Sequence, residues 1–272
     1  FLWGAAGAPT LAVLTLTGLE RLDLAAALPG LLSTAVAGPL IEELCKGMGV
    51  VLVVLLARSL DNPTDGLVYG TAAGLGFAVT ENALYGMGAG AGGEATVGGL
   101  LLLTMGRTLF SAGVHAVSSA TFGGLLGHAV MARRLWIRAS WSFLGLLGAT
   151  AMHGAWNGAL VLAGAFTADG TLRAWLVIVP GVYVAFLVVF ALFLRSEHSI
   201  LKRQLAQEVD LGLAPPWVVD IMPYYRRRVR GDWWPVRRER AIIARLLTRV
   251  AFRKHALRHL SASEAAIASL EV

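Results

Sequence analysis

The segment Gly38-Pro-Leu-Ile-Glu42-Glu43-Leu-Cys-Lys46-Gly47 opens an apolar run that ends at residue 57. Residues 47–57 alone would form a helix only about 16 Å long. Because a helix that crosses the membrane needs about 20 residues, it must extend back through both glutamates to Pro39. Proline suits the first turn of a helix, where its missing amide hydrogen would be unpaired anyway. The segment therefore predicts a membrane-spanning helix with two adjacent carboxylates in its first turns.

The composition of the whole chain agrees with a membrane protein. Of its 272 residues, 56% are hydrophobic and 15% are charged, and the mean hydropathy is +0.66. A soluble domain usually carries about 25% charged residues, so an ordinary soluble enzyme is disfavoured. We predict an all-α, polytopic bundle of about six transmembrane helices, from six apolar stretches at residues 1–19, 31–58, 66–88, 97–131, 139–165 and 172–195.

The positive charge is confined to the end of the chain. Residues 1–195 contain equal numbers of basic and acidic side chains, so the formal net charge of +6 lies within residues 196–272. This divides the chain into a transmembrane core, 1–195, and a basic tail, 196–272. Positive residues favour the cytoplasmic side, and on that basis we place on the cytoplasmic side the tail and the arginines Arg58, Arg133, Arg134 and Arg138.

Several polar side chains interrupt the apolar stretches. A charged side chain at the centre of a membrane helix costs about 3 kcal/mol on insertion scales and usually faces a polar cavity. Many of these residues are spaced by four, which puts them on one helix face, and Gly-x-x-x-Gly pairs nearby allow close helix packing. We therefore predict one hydrated site among four helices, built from Glu42, Glu43, Lys46, Glu81, Asn82, Arg107, His115, His153 and Asn157.

Two kinds of chemistry fit these residues. A buried glutamate can act as a general base toward water, with Lys46 or Arg107 balancing charge or stabilising an oxyanion. Alternatively, His115 and His153 with a glutamate such as Glu81 could hold a zinc ion with an open position for water. The sequence contains no His-Glu-x-x-His, Gly-x-Ser-x-Gly or P-loop motif, and its single cysteine excludes an internal disulfide and a thiolate zinc cluster.

Four motifs resemble those of the PrsW family of intramembrane proteases, which is related to the CAAX prenyl protease and ABI group. The family pattern of Glu-Glu-x-x-Lys, Phe-x-x-x-Glu-Asn, His-x-x-x-Ser and His-x-x-x-Asn occurs here in order. The motifs read Glu42-Glu43-Leu-Cys-Lys46, Phe77-Ala-Val-Thr-Glu81-Asn82, His115-Ala-Val-Ser-Ser119 and His153-Gly-Ala-Trp-Asn157. The resemblance covers residues 30–165.

The resemblance implies a multi-pass protease of the bacterial plasma membrane that cuts membrane-anchored proteins such as an anti-sigma factor. It implies catalysis by glutamates and histidines, of either the metallo or the glutamic type. The catalytic candidates are Glu42, Glu43, Glu81, His153 and His115, and the candidates for substrate positioning or charge balance are Lys46, Asn82, Arg107 and Asn157.

Other interpretations remain open at this stage. The same buried groups would also serve a transporter or an ion or proton pathway, or an enzyme that processes lipidated CAAX-type peptides. The glutamates and histidines could instead serve packing alone. The tail contains a basic amphipathic helix at residues 239–259, which suits either an anionic lipid surface or a small soluble helical unit. A nucleic-acid partner is not expected.

Overall fold

The computed structural model describes residues 1–22, 30–57, 60, 62–91, 96–132, 134–166 and 168–268, with side chains described for all of these except 57, 163–179, 182, 185, 256 and 258–268. Within these ranges every regular element is helical, which confirms the all-α fold class. The α-helices are α1 (Ala8–Arg21), α2 (Gly30–Leu32), α3 (Gly38–Leu52), α4 (Pro63–Ala91), α5 (Val97–Gly106), α6 (Ala112–Met131), α7 (Leu135–Phe166), α8 (Ala168–Asp210), α9 (Trp217–Ile221), α10 (Tyr225–Arg230) and α11 (Arg237–Ala268).

Short π-helical turns join or extend several of these helices. They lie in the described part of the chain at Trp3–Gly7, Ser33–Ala37, Val53–Ala57 and Arg107–Ser111. Such turns are rare and occur frequently at functional sites. The last of them contains Arg107, one of the polar residues singled out from the sequence.

The helix that carries the two glutamates begins earlier than the sequence indicated. Residues 30–57 form one helical run in which α2 and a π turn precede α3, so Glu42 and Glu43 lie near its middle. Within α3 itself, Pro39 lies in the first turn and the glutamates in the first two turns, as expected, but the helical run as a whole starts eight residues before Gly38. Pro39 does not start the run, because the π turn Ser33–Ala37 and Gly38 precede it in helical conformation; as a proline it cannot donate to the carbonyl of Ala35, four residues earlier.

Each of the six predicted apolar stretches coincides with a helix or helical run. Among the described residues, one helix, Val97–Met131, is long and apolar enough to cross a membrane by length and composition. It widens into a π turn directly after Gly106. The count of six spans stays a prediction, and Arg58 and Arg133, used for the predicted orientation, lie outside the described residues.

Helices α4 and α6 pack backbone against backbone along a row of glycines. A methyl group added to Gly70 would overlap the carbonyl oxygen of Ser119, and one added to Gly74 would overlap that of His115. Contacts this close require residues without a side chain. The glycine row of α4 therefore fixes the position of the α6 backbone at His115 and Ser119.

A second glycine sets the distance between α7 and the helical run 30–57. A methyl group on Gly154 would overlap the carbonyl oxygen of Ala35, the group that Pro39 leaves without its helical amide partner. Because Gly154 follows His153 directly, this contact holds His153 beside α3. The predicted close approach at Gly-x-x-x-Gly pairs is confirmed at these positions.

The tail has a small hydrophobic core of its own. Helix α8 continues through the predicted boundary at 195 to Asp210, and its chain turns at Gly212, whose φ of +71° favours glycine. Beyond that boundary, Leu201 and Leu205 of α8 pack with Met222 and with Phe252 of α11. One face of α11 is thus buried, as in a small helical unit.

We expect Gly74→Ala to lower the stability of the protein by about 1–3 kcal/mol, because the new methyl group overlaps the backbone of α6 and neither helix can yield cheaply. The matched control is Gly88→Ala in the same helix, where an added methyl group has open space and alanine favours the helix by about 0.5–1 kcal/mol. Unfolding of both variants in detergent measures the difference. Equal stabilities of the two variants would contradict the assigned packing.

Candidate active site

All but one of the polar residues predicted from the sequence come together between four helices. Helix α3 supplies Glu42, Glu43 and Lys46, and α7 supplies His153; the remaining members come from α4 and from α6 with its preceding π turn. Four of the side chains are almost fully enclosed: the exposed fractions are 1% for Glu43, 0% for Lys46 and 2% for each histidine. We call this group the polar cluster, with the members Glu42, Glu43, Lys46, Glu81, Asn82, Arg107, His115, Ser119 and His153.

Both oxygens of Glu43 are occupied. Oε1 accepts a hydrogen bond from Lys46 Nζ at 2.8 Å and lies 3.0 Å from His153 Nδ1. Oε2 accepts a hydrogen bond from the Ser119 hydroxyl at 2.9 Å. A buried carboxylate is stable only when it is paired and hydrogen-bonded in this way, so Glu43 links α3 to α6 and α7.

Lys46 is the buried cation at the centre of the cluster. Besides Glu43, its ammonium group donates to His115 Nδ1 at 2.9 Å and lies 3.6 Å from Glu42 Oε2. It also lies over the ring of Phe77, 4.1 Å from the centroid. The predicted role of Lys46 in charge balance is consistent with these contacts.

Glu42 differs from its neighbour in having an oxygen without a hydrogen-bond partner. Its Oε2 is buried and accepts no hydrogen bond from the described residues, while its side chain as a whole is 16% exposed. The nearest polar atoms are Lys46 Nζ at 3.6 Å and His153 Nε2 at 3.7 Å. Both distances exceed a normal hydrogen bond, which leaves this oxygen available to water or to an ion.

The hydrogen-bond network assigns the protons of both histidines. An ammonium group only donates, so Nδ1 of His115 is an acceptor; its Nε2 therefore carries the hydrogen and lies 2.6 Å from Glu81 Oε2 as an ion-pair contact. In His153, Nδ1–H donates to Glu43, and Nε2 carries the lone pair toward Glu42. Each imidazole thus places one N–H against a carboxylate, an arrangement typical of metal-binding histidines.

Arg107 and Asn82 complete the cluster on the side of Glu81. Arg107 Nη2 lies 3.0 Å from Glu81 Oε1, and its Nε donates to Asn82 Oδ1 at 3.0 Å. The guanidinium group also lies 3.6 Å from the ring centroid of Tyr85. Arg107 and Glu81 therefore form a partly exposed ion pair beside the buried one.

Two residues differ from the expectations of the sequence analysis. Asn157 makes its hydrogen bond outside the cluster: its Nδ2 donates to the carbonyl of Thr34 at 3.3 Å and ties α7 to the π turn before α3. Ser119, the last residue of the His-x-x-x-Ser motif, is a member of the site that the sequence did not predict, since its hydroxyl donates to Glu43 Oε2. Its spacing of four residues from His115 was the signal that could have identified it.

Three residues of the polar cluster lie close enough together to bind one metal ion. One potential ligand atom from each of Glu42, His115 and His153 lies within 4.8 Å of the other two. Two ligands of a tetrahedral zinc ion, each about 2.0–2.1 Å from the metal, lie about 3.4 Å apart, close to the 3.7 Å between His153 Nε2 and Glu42 Oε2. The orphaned oxygen of Glu42 is the kind of atom that a cation would satisfy.

The carboxylate of this potential triad is Glu42 and not Glu81, which the sequence analysis had named. The reason is that Glu81 faces Arg107 and the Nε2–H of His115. Glu81 thus lies behind His115 as its carboxylate partner. With three carboxylates and two basic side chains, the polar cluster has one negative charge in excess when both histidines are neutral, which also favours a cation.

We expect Lys46→Met to destabilise the protein by about 3–5 kcal/mol, because it leaves Glu43 as an uncompensated buried charge. The double variant Glu43→Gln/Lys46→Met should lose much less stability than the sum of the two single variants. A double-mutant cycle of unfolding free energies in detergent measures the coupling. Additive effects would mean that the two side chains do not form the buried ion pair.

Comparison with known proteins gives a family for the chain. The model of the PrsW family, described as intramembrane metalloproteases, matches residues 1–194, a range that includes the whole polar cluster. Neither the curated proteins nor the solved structures contain a significant match to the chain. The family match confirms the resemblance in the four motifs and implies an integral membrane protein with peptidase activity. The chain therefore belongs to the PrsW family of intramembrane metalloproteases.

Proposed function

We propose that the chain hydrolyses membrane-anchored proteins in the bacterial plasma membrane and that Glu42 is the carboxylate that activates water. The observation that carries this proposal is the contrast between two neighbouring residues. Glu43 has both oxygens engaged with Lys46, Ser119 and His153, whereas Glu42 Oε2 is buried without a hydrogen-bond partner among the described residues. A general base needs a free lone pair directed at the water.

In this mechanism, Glu42 accepts a proton from water while the water oxygen attacks the carbonyl carbon of the scissile amide. His153 Nε2, 3.7 Å from Glu42 Oε2, orients the water as a hydrogen-bond acceptor. A tetrahedral intermediate forms, and Glu42 then returns the proton to the amine as the carbon–nitrogen bond breaks. The buried Glu43 fixes the ring of His153 through Nδ1.

We assign stabilisation of the developing oxyanion to Arg107. Its side chain is 14% exposed, and of its five N–H donors only some are used by Glu81 and Asn82. Lys46 is fully enclosed between Glu43 and His115, so it holds the charges of the cluster in place. A preorganised donor at the oxyanion is commonly worth about 10²–10³ in rate.

Glu42, His115 and His153 are the residues that would hold a zinc ion. When bound, zinc would supply Lewis-acid polarisation of the carbonyl and of the water. Glu42 has a role in both cases. It would be a ligand when the metal is bound, and it is the proton acceptor when no metal is present. Because Lys46 contacts Glu42 and the Nδ1 atom of His115, its ammonium group competes with any metal for two of the three ligands.

The substrate class and the topology belong to the same proposal. Enclosure of the cluster among helices supports a substrate that is itself anchored in the membrane, and an anti-sigma factor is one such protein. A cavity of about 230 Å³, lined by apolar residues including Met48 and Leu146, reaches Glu43 from between α3, α6 and α7, which supports entry from the lipid side. Six spans and a cytoplasmic tail are supported by the six helical stretches and the charge distribution.

We expect Glu42→Gln to reduce proteolysis by at least about 10²-fold, because the amide cannot accept the proton from water. The assay uses the full chain in liposomes with co-reconstituted single-span membrane proteins labelled at both ends. Glu20→Gln, on the exposed surface of α1, is the matched control and should cleave at the wild-type rate. Cleavage by the Glu42→Gln variant at the wild-type rate would exclude Glu42 as the base.

The same liposomes test the alternative of an ion pathway. Under that alternative, a pH-sensitive dye inside the vesicles would report proton flux that depends on Glu42, without cleavage of any substrate. We expect no such flux. Flux without proteolysis would replace the protease proposal with a transport function.

We expect purified wild-type protein to bind zinc and the variants Glu42→Gln and His153→Ala to lose it, since each removes one of the three ligands. Elemental analysis after dialysis against zinc measures the content independently of activity. His128→Ala is the control, because His128 packs on Trp141 and Phe193, outside the cluster. Active protein without metal would contradict zinc binding and would leave Glu42 as the base of a glutamic-type protease.

A further inference from the structure

A second polar site lies outside the polar cluster, where the tail meets the ends of α4 and α8. It is a cavity of about 810 Å³, enclosed by these two helices and by α10 and α11. Its volume lies in the range of pockets that bind small molecules. None of its lining residues belongs to the polar cluster, so the proposed proteolysis does not account for it.

The walls of the cavity carry an excess of positive charge. Four arginines and two acidic residues line it. Arg228 is paired with Glu197 at 2.8 Å, while Arg240 contacts the carbonyl of Gly231 and the largely exposed Asp232. The Nε atom of Arg240 is buried and has no hydrogen-bond partner in the described part of the chain, so one strong donor remains to be satisfied.

The other two arginines are available to a ligand. Arg237 and Arg245, both on α11, have no ion-pair partner among the described residues although they line the same cavity. Arginine is well suited to phosphate, because its planar group donates two parallel hydrogen bonds. The cluster of arginines therefore favours an anion that carries a phosphate group.

The opposite wall of the cavity is apolar. It is formed by Val68 on α4 and by Phe190 and Leu194 on α8. Leu187, which shares a helix face with Phe190 and Leu194, is exposed and continues this apolar surface into the last predicted transmembrane stretch. A ligand with a phosphate at the arginines and hydrocarbon along α8 matches both walls, whereas a soluble anion would match only one.

The surface of α11 beside the cavity is also suited to a membrane. Although one face of α11 packs on α8, Ile242, Leu246 and Val250 form an exposed stripe at intervals of four residues. Arginines border this stripe, as in helices that lie on anionic membranes. The residues of this stripe do not line the cavity. They independently indicate that α11 lies at a membrane surface.

We propose that this cavity binds the headgroup of an anionic phospholipid, with the phosphate at Arg237, Arg240 and Arg245 and the acyl chains along Phe190 and Leu194. The lipid joins the tail to the transmembrane core at the surface of the membrane. The site is separate from the catalytic proposal and stands whether or not Glu42 activates water.

The test compares binding of phosphatidylglycerol, phosphatidylcholine and inorganic phosphate to the full chain in detergent, by native mass spectrometry and by the shift in melting temperature. We expect phosphatidylglycerol to bind tightest. The double variant Arg237→Gln/Arg245→Gln should weaken that binding by about tenfold or more, because each substitution removes a charge-assisted hydrogen bond to the phosphate. Arg237→Lys/Arg245→Lys should fall between this variant and the wild type.

The control variant is Arg226→Gln/Arg238→Gln, which removes the same charge from exposed arginines outside the cavity. It should bind phosphatidylglycerol like the wild type. Equal weakening by both double variants would overturn the proposal in favour of non-specific attraction by the tail. Binding of inorganic phosphate as tight as that of the lipid would overturn it in favour of a soluble anion.

Discussion

The ion pair between Lys46 and Glu43 is the interaction on which the arrangement of the central helices depends. Both side chains are fully enclosed, and a buried charge is tolerated only with a partner and with its remaining hydrogen bonds made. Ser119 and His153 provide those bonds to Glu43, and His115 accepts one from Lys46. Packing α3 against α6 and α7 therefore satisfies charges that none of these helices could bury alone.

This pairing has a consequence for catalysis. Because Lys46 and Glu43 satisfy each other, the neighbouring Glu42 can remain without a hydrogen-bond partner for Oε2 in an environment that is already structurally fixed. His153 connects the two glutamates, with Nδ1 toward Glu43 and Nε2 toward Glu42. The contact of Nδ1 with the structural carboxylate of Glu43 thus orients the ring so that Nε2 faces Glu42. Carboxylate partners commonly orient metal-binding histidines in this way.

The distances within the cluster depend on the glycines as much as on the charges. Gly74 allows the backbone of α4 to touch that of α6 at His115, and Gly154 allows α7 to touch the helical run 30–57 next to His153. Side chains at these positions would separate the helices by more than the cluster can span with hydrogen bonds of about 2.8–3.0 Å. Pairing of the buried charges therefore depends on the close helix packing that the glycines allow.

Much of this arrangement could be predicted from the sequence, because residues four apart share one face of a helix. The spacing identified the helix faces that carry Glu81, His115 and His153, and all of them meet in the cluster. The spacing could not separate Glu42 from Glu43. Adjacent residues point about 100° apart on a helix, and only the positions of α6 and α7 decide which direction meets Ser119 and His153.

Two differences from the prediction, the start of the glutamate helix and the position of Asn157, have a common physical origin. Pro39 lies in the first turn of α3, as predicted, but a π turn before α3 lets the helix continue back to Gly30. This extension supplies the carbonyl of Thr34 that binds Asn157, which therefore lies one turn beyond the cluster although it shares a face with His153. Irregular helical turns carry no clear sequence signal, so their consequences for neighbouring helices were not predictable.

The sequence allowed two interpretations of the amphipathic helix in the tail, a helix on an anionic lipid surface or part of a small soluble unit. The structure of the tail is compatible with both at once. Helix α11 has one apolar face that packs on α8 through Phe252 and a second one, including Leu246, that stays exposed. A helix in a soluble unit would be more stable with both apolar faces buried. A helix that only lies on a membrane surface would need only one apolar face. Because α8 passes from the predicted membrane core into the tail without a break, the unit is held where a second face can meet lipid. The arginine-lined cavity lies at that junction, where a bound headgroup would contact the core and the tail at once.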